Sequence, residues 1–144
     1  MAEVISVNIS TEKGTVKLPV LQAQLIENYG IAGDAHAGNW HRQVSLLADE
    51  SIDDMRTLGL KDLDFGIFAE NITTRGIELH TLAIGTKVKI GESILEVTQI
   101  GKECHHGCEI FKKVGKCVMP TRGIFARVLR GGMIRAGDQI LVID

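Results

Sequence analysis

Apolar and polar residues alternate with a period of two in several short stretches of this chain. In residues 3–10, Ile5, Val7 and Ile9 fall on one side and Ser6, Asn8 and Ser10 on the other, which predicts a first strand. Residues 11–14 read as a turn. Leu18-Pro19 opens a second extended segment to about Ile26, closed by the turn residues of 28–33. Residues 43–47 predict a short strand entering the interior. Asp49 then stands where it can cap a helix from about Glu50 to Thr57, with Ile52, Met55 and Leu58 inward and Gly59 as the stop. Residues 60–68 carry no clear period and read as loop with room for one helical turn, and 69–76 as a short extended polar piece. Residues 85–90 and 94–100 form the plainest hairpin, with Val88 and Ile90 inside and Lys87 and Lys89 outside. Residues 108–114 fit two helical turns. Residues 123–129 and 139–143 read as strands, the last of them buried.

Many short strands, one or two short inserted helices and no repeating strand–helix unit predict a mostly β domain, a closed or partly open β-barrel. At 144 residues the chain is read as a single domain, 1–144, able to bury a core without disulfides or metal. Sixteen glycines against four phenylalanines, one tryptophan and one tyrosine point to tight turns around an aliphatic core.

A formal charge of −2, spread without basic runs, gives no case for nucleic acid or a membrane surface as partner. No stretch approaches the roughly 18 apolar residues of a membrane-spanning helix, and the first residues lack the pattern of a signal peptide. Three cysteines are too few, and odd in number, for a disulfide framework, so a cytoplasmic protein is expected.

Those three cysteines, Cys104, Cys108 and Cys117, fall within fourteen residues together with His105 and His106. A thiol acts as nucleophile, sulfur carrier or metal ligand only as its thiolate, which nearby cations favour. Cys104 has Lys102, His105 and His106 within two residues; Cys108 opens the apolar-faced helix, and Cys117, between Lys116 and Val118, has the weakest local case. A free cysteine is equally a small buried hydrophobe, an account that suits Cys117 best. Four soft ligands in one loop also invite a structural zinc site in a non-catalytic binding module, although C-x3-C and C-x8-C match none of the common zinc spacings. A second polar cluster, residues 33–42, carries Asp34, His36, His41 and Arg42 among glycines, a composition that can cradle an anion or simply be a solvated loop. Glu70-Asn71 before a strand reads first as turn chemistry, and His80 as a lone surface or edge histidine.

In order, Gly33-Asp34 with His36, Arg42-Gln-Val-Ser-Leu, Phe68-Ala-Glu-Asn-Ile-Thr-Thr-Arg-Gly76, Leu82-Ala-Ile-Gly85, Val97-Thr-Gln closing on Cys104, Gly123-Ile-Phe-Ala-Arg-Val-Leu and Ile134-Arg-Ala-Gly-Asp138 span nearly the whole chain. This succession resembles the MOSC family, the domain related to the C-terminal part of molybdenum cofactor sulfurases, in its short free-standing bacterial form. The resemblance implies a β-barrel that binds the molybdenum cofactor or its molybdopterin. It also implies a late loop cysteine that carries sulfur as persulfide or ligates molybdenum. Cys104 occupies that place, with His105 beside it and Cys108 as the alternative; Gly101-Lys-Glu stands where Pro and Arg are common. Asp34, His36, His41, Arg42, Glu70, Asn71, Lys102 and Arg127 become the expected cofactor contacts. The implied partners are a sulfur donor of the cysteine desulfurase type or a recipient molybdoenzyme. Sulfurtransferase activity and mere binding and delivery both agree with the resemblance.

Overall fold

β-branched runs punctuated by glycine turns resolve into eleven strands among the described residues, with one α-helix and one 3-10 turn, Leu79–Thr81. The structure is a computed structural model that describes residues 2–13, 15–57, 63–101 and 122–143. In chain order the strands are β1 (Glu3–Ile9), β2 (Leu18–Val20), β3 (Ala23–Ile26), β4 (Gly30–Ile31), β5 (Val44–Ala48), β6 (Ile72–Arg75), β7 (Lys87–Ile90), β8 (Ser93–Ile100), β9 (Ile124–Arg130), β10 (Gly132–Ile134) and β11 (Ile140–Ile143). The helix α1 (Asp49–Arg56) follows β5 directly. Eight strands form one sheet in the order β11-β7-β8-β9-β5-β6-β1-β2, and three form a second, β10-β3-β4.

The fold is mostly β, as the pattern predicts, but the sheets are not closed into a barrel. β1 gives one edge to β6 over Glu3–Val7 and the other to β2 from Val7 to Ile9. Only its first residues can therefore reach the far edge strand. They do so through an isolated bridge between Glu3 and Gln139 and a Val4 N–H bond to Asp138 O at 2.8 Å. Among the described residues α1 is the inserted helix; the helix expected over residues 108–114 lies outside them.

Several local expectations are corrected for identifiable reasons. A register shift between Val4 and Ser6 breaks the period in β1. Val4 and Val7, three apart, are buried in the core, Ile5 and Ile9 are only partly covered, and Ser6 and Asn8 are buried too. The extended segment from Leu18 splits at an exposed Leu21 into β2 and β3, which join different sheets. The terminal strand β11 lies at a sheet edge, so Ile140 is buried while Leu141 and Val142 stay half exposed. Asp49 does not cap α1: the N-cap is Ala48, without a side-chain bond. Asp49 is the first helical residue, and its carboxylate accepts from Arg56 at 3.1 Å and from Arg75 on β6. An acid in the first turn still suits the helix dipole.

The five residues of β5 are all buried, because this strand is covered on both faces. Val44, Leu46 and Ala48 join the larger apolar cluster with Val7, Ile72, Val97 and Ile124. Leu47 points the other way, into a cluster with Ile52 and Met55 of α1 and with Phe68 and Phe125. The pairing of β5 with β6 is parallel, Leu46 opposite Ile72, so the connection must cross over, and α1 and the turns at 65–68 do so. That crossover packs tightly at Gly66, where the backbone adopts φ +89 and an added Cβ would sit 2.2 Å from Lys17 O.

Replacing Gly66 should therefore cost more than its conformation alone. At Gly137, with φ +96 and nothing within 4 Å of the Cβ position, alanine brings only backbone strain of about 1 kcal/mol. We expect Gly66→Ala to lose at least about 2 kcal/mol more than Gly137→Ala, because backbone must move to admit the methyl. Denaturant unfolding of the two variants checks this, and equal losses would remove the packing argument.

Candidate functional site

At one end of the central ladder the chain leaves β8 and returns to β9. Ile100 pairs with Ile124, and Gly101 N–H donates to Gly123 O at 2.6 Å. Residues 102–121 are thus joined to the fold at two adjacent backbone points. Lys102, Cys104, His105, Cys108 and Cys117 all lie in that stretch, outside the described residues.

The polar loop before β5 meets the same strand end through Gln99. His41 Nε2 and Arg42 Nε lie 2.9 and 3.0 Å from Gln99 Oε1, and Gln99 Nε2 donates to Gly101 O at 2.7 Å. The Arg42 guanidinium lies over the Phe125 ring, 5.2 Å from its centre. Thr98 Oγ1 donates to His41 O, which anchors the loop a second time.

Beside this junction is an open cleft of about 570 Å³, lined by Trp40, His41, Asn28, Asn39, Glu96 and Arg127 among others. Trp40 is held by an Nε1 bond to His36 O at 2.8 Å and by Lys13 Nζ 5.3 Å from its ring centre. Arg127 sits directly opposite Glu96 and donates to it at 2.7 Å. That pair is solvent-exposed, so breaking it costs no more than about 1 kcal/mol, and Arg127 can turn to a bound anion. A larger hollow of about 730 Å³ lies beside α1, but Glu50, Asp54 and Glu78 outweigh Arg122 there, which disfavours an anionic ligand.

The other expected contacts lie deeper. Asp34 is buried, with Oδ1 accepting from Lys17 Nζ at 2.7 Å and Ser10 N–H at 3.1 Å, and Oδ2 from His36 N–H at 3.0 Å. Both side chains of the Lys17–Asp34 pair are fully enclosed, and breaking such a pair costs on the order of 3–5 kcal/mol. His36 Nδ1 lies 3.1 Å from Lys17 Nζ, half in the interior. Asn71 is enclosed between β5 and β1, accepting from Ser45 N–H at 3.0 Å and donating to Asn8 O at 3.1 Å. Glu70 is enclosed as well, accepting from Gly66 N–H at 3.0 Å, Phe68 N–H at 3.2 Å and the Thr73 hydroxyl at 2.8 Å. The structure thus brings His41 and Arg127 to the cleft and Arg42 to its margin. Asp34, Glu70 and Asn71 are turned to the interior.

The MOSC domain family matches residues 33–141, which takes in this loop, the junction and both flanking strands. The chain belongs to the MOSC domain family. Solved structures of similar fold include the YuaD protein of Bacillus subtilis, with TM-score 0.81 and 19% identity over 97% of this chain and 94% of that one. YiiM of Geobacillus stearothermophilus follows at 0.75 and 17%, over 100% and 76% of the two chains. YiiM of Escherichia coli gives 0.68 and 16%, over 99% and 68%. At such identities the likeness is one of fold. No curated protein matches this sequence.

Within this MOSC domain, sequence patterning missed Trp40, Asn28 and Gln99. The only tryptophan of the chain, set in a polar glycine-bearing loop, was the available signal for the first. Among the described residues no cluster of His, Cys, Asp or Glu could hold a metal ion, and no helix is long and apolar enough to cross a membrane.

Burial pushes the Glu70 carboxyl above the ordinary glutamate value of 4.5, against the pull of the hydrogen bonds from Gly66, Thr73 and Phe68. A folded-state value raised in this way favours folding at low pH. The contribution is fully present below 4.5 and is lost as pH rises through the folded value. Glu70→Gln does not titrate, so Tm of the native protein should fall relative to the variant as pH rises from about 4 to about 8. Parallel Tm curves would show that Glu70 titrates alike in both states.

Proposed function

We propose that this MOSC domain binds the molybdenum cofactor, or its molybdopterin part, in the cleft lined by Trp40 and Arg127, and that Cys104 handles sulfur beside it. Family membership and the cleft's donor set support this reading. Its volume lies in the range of small-molecule sites, with one flat aromatic side chain, two amides and an exchangeable cation in the wall. Such a wall matches a planar, hydrogen-bonding heterocycle that carries a phosphate. The observation that carries the proposal is the junction itself. The stretch holding Cys104 and Cys108 is rooted at Gly101 and Gly123, and Gly101 stands two residues from Gln99, whose amide holds His41 and Arg42.

Each residue then has a task. Trp40 stacks, Asn28 and Asn39 offer amide donors and acceptors, and Arg127 exchanges Glu96 for the phosphate, with Arg42 as a second cation. Asp34, Glu70 and Asn71 act indirectly, by fixing the loops from within. Lys102 and His105 favour the thiolate of Cys104. That thiolate attacks the outer sulfur of a donor persulfide; the donor's S–S bond breaks, the donor leaves as thiolate, and Cys104 keeps the sulfur with no net oxidation. When bound, the cofactor supplies a soft metal that accepts sulfur ligands. A cysteine desulfurase-type donor and a recipient molybdoenzyme in the cytoplasm are the partners this assigns.

Because Trp40 is the only tryptophan, its fluorescence reports the cleft directly. An oxidised pterin phosphate should quench it, and Arg127→Ala should weaken binding about tenfold, as for the loss of one charge-assisted hydrogen bond. After incubation with a persulfide donor, mass spectrometry should find the added sulfur on Cys104, absent in Cys104→Ala, while pterin quenching persists in that variant. Undiminished persulfide in Cys104→Ala would move the role to Cys108, and absence of any quenching would overturn the cleft as the binding site.

A further inference from the structure

We propose that Gln99 is the positioning residue of the cleft, a clamp that fixes His41 as its Nε2–H form and holds Arg42 in register with the strand end. The chemistry of the partners determines every proton in this cluster. Arg42 Nε, 3.0 Å away, can only donate, so the atom it meets must be the amide oxygen of Gln99. The opposite end of the same amide meets Gly101 O at 2.7 Å, an obligate acceptor, and must be the NH₂ group. Rotating the amide by half a turn would set donor against donor and acceptor against acceptor, so one orientation survives. With Oε1 fixed, His41 Nε2 at 2.9 Å must carry a proton. In the neutral ring Nδ1 is then the acceptor, on a side chain that lines the cleft.

The clamp thus has consequences on both sides of the strand. A ligand in the cleft meets a histidine whose proton-accepting nitrogen is predetermined. Arg42, confined by Gln99 at Nε and by Phe125 beneath its plane, presents its remaining N–H groups with little rotameric freedom. Through the bond to Gly101 O, the same amide also restrains the backbone point at which β8 ends. This deepens the reading of the cleft as a ligand site and rests on it for purpose, but its test reads the free protein.

The variants Gln99→Glu and Gln99→Met separate the clamp from plain packing. A glutamate keeps the acceptor for His41 and Arg42 and gives up only the bond to Gly101 O; methionine keeps the shape and removes all three hydrogen bonds. Nitrogen NMR of the histidine rings should show His41 as the Nε2–H tautomer alone in the native protein and in Gln99→Glu. In Gln99→Met it should average between tautomers, with the Arg42 Nε–H signal lost to faster exchange. Quenching of Trp40 by oxidised pterin phosphate should weaken about tenfold in Gln99→Met, as for one hydrogen bond to a charged group, and be rescued in Gln99→Glu. An unchanged His41 spectrum in Gln99→Met overturns the clamp, whatever happens to ligand binding. Should Gln99→Met fail to fold, a proton found on His41 Nδ1 of the neutral native protein overturns it equally. A normal clamp with no pterin quenching in any variant would instead count against the choice of ligand.

Discussion

Covering β5 on both faces is the constraint from which the remaining architecture follows. A five-residue strand with no exposed position needs an apolar layer on each side and a partner for every backbone group along each edge. The larger apolar cluster, drawn from both sheets, gives one layer, and α1 with Phe68 and Phe125 gives the other. Antiparallel β9 satisfies one edge, and parallel β6, reached by the crossover, satisfies the second. Where these ladders run out, side-chain amides take over the backbone's role. Asn71 serves Ser45 N–H and Asn8 O, while Gln43 accepts from Val128 N–H at 2.9 Å. The buried Asn71 and Gln43 are thus consequences of placing a strand in the middle of the protein.

The same constraint delivers the candidate site. Since β5 must begin at Val44 between β9 and β6, the residues before it emerge next to the end of β8, and His41 and Arg42 fall within reach of Gln99. Since β8 and β9 are paired up to Ile100 and Ile124, the connection between them has to start and finish at that edge. The cleft and the two backbone points Gly101 and Gly123, between which the cysteine-bearing part of the sequence runs, thereby share one end of the ladder.

Much of this architecture was legible in the sequence, and the failures share a cause. The β7–β8 hairpin was plain because Lys87 and Lys89 face water while Val88 and Ile90 do not, so its period is undisturbed. β1 misled because a bulge is invisible in a list of residues yet puts Val4 rather than Ile5 in the core beside Val7. The absence of barrel closure depends on β2 taking the second edge of β1 from Val7 to Ile9, a pairing that no local pattern records. Asp49 looked like a cap because helix starts favour acids; the pull of Arg56 and Arg75 on its carboxylate became visible only with β6 alongside.

Among the polar residues, what the sequence could not sort was interior from exterior. Asp34 and His41 stand seven positions apart in one glycine-bearing loop, and each had an equal claim to a ligand. Burial separates them: Asp34 is enclosed with Lys17, a pair that would cost several times more to open than the exposed Arg127–Glu96 pair beside the cleft. Charges that cannot be released cheaply belong to the scaffold, and those that can are available for binding. On that criterion the scaffold claims Asp34 and Lys17, and the cleft claims Arg127. Gln99, uncharged and patterned like any outward strand residue, was overlooked because its importance comes from having one donor end and one acceptor end, each facing a partner that permits only one orientation.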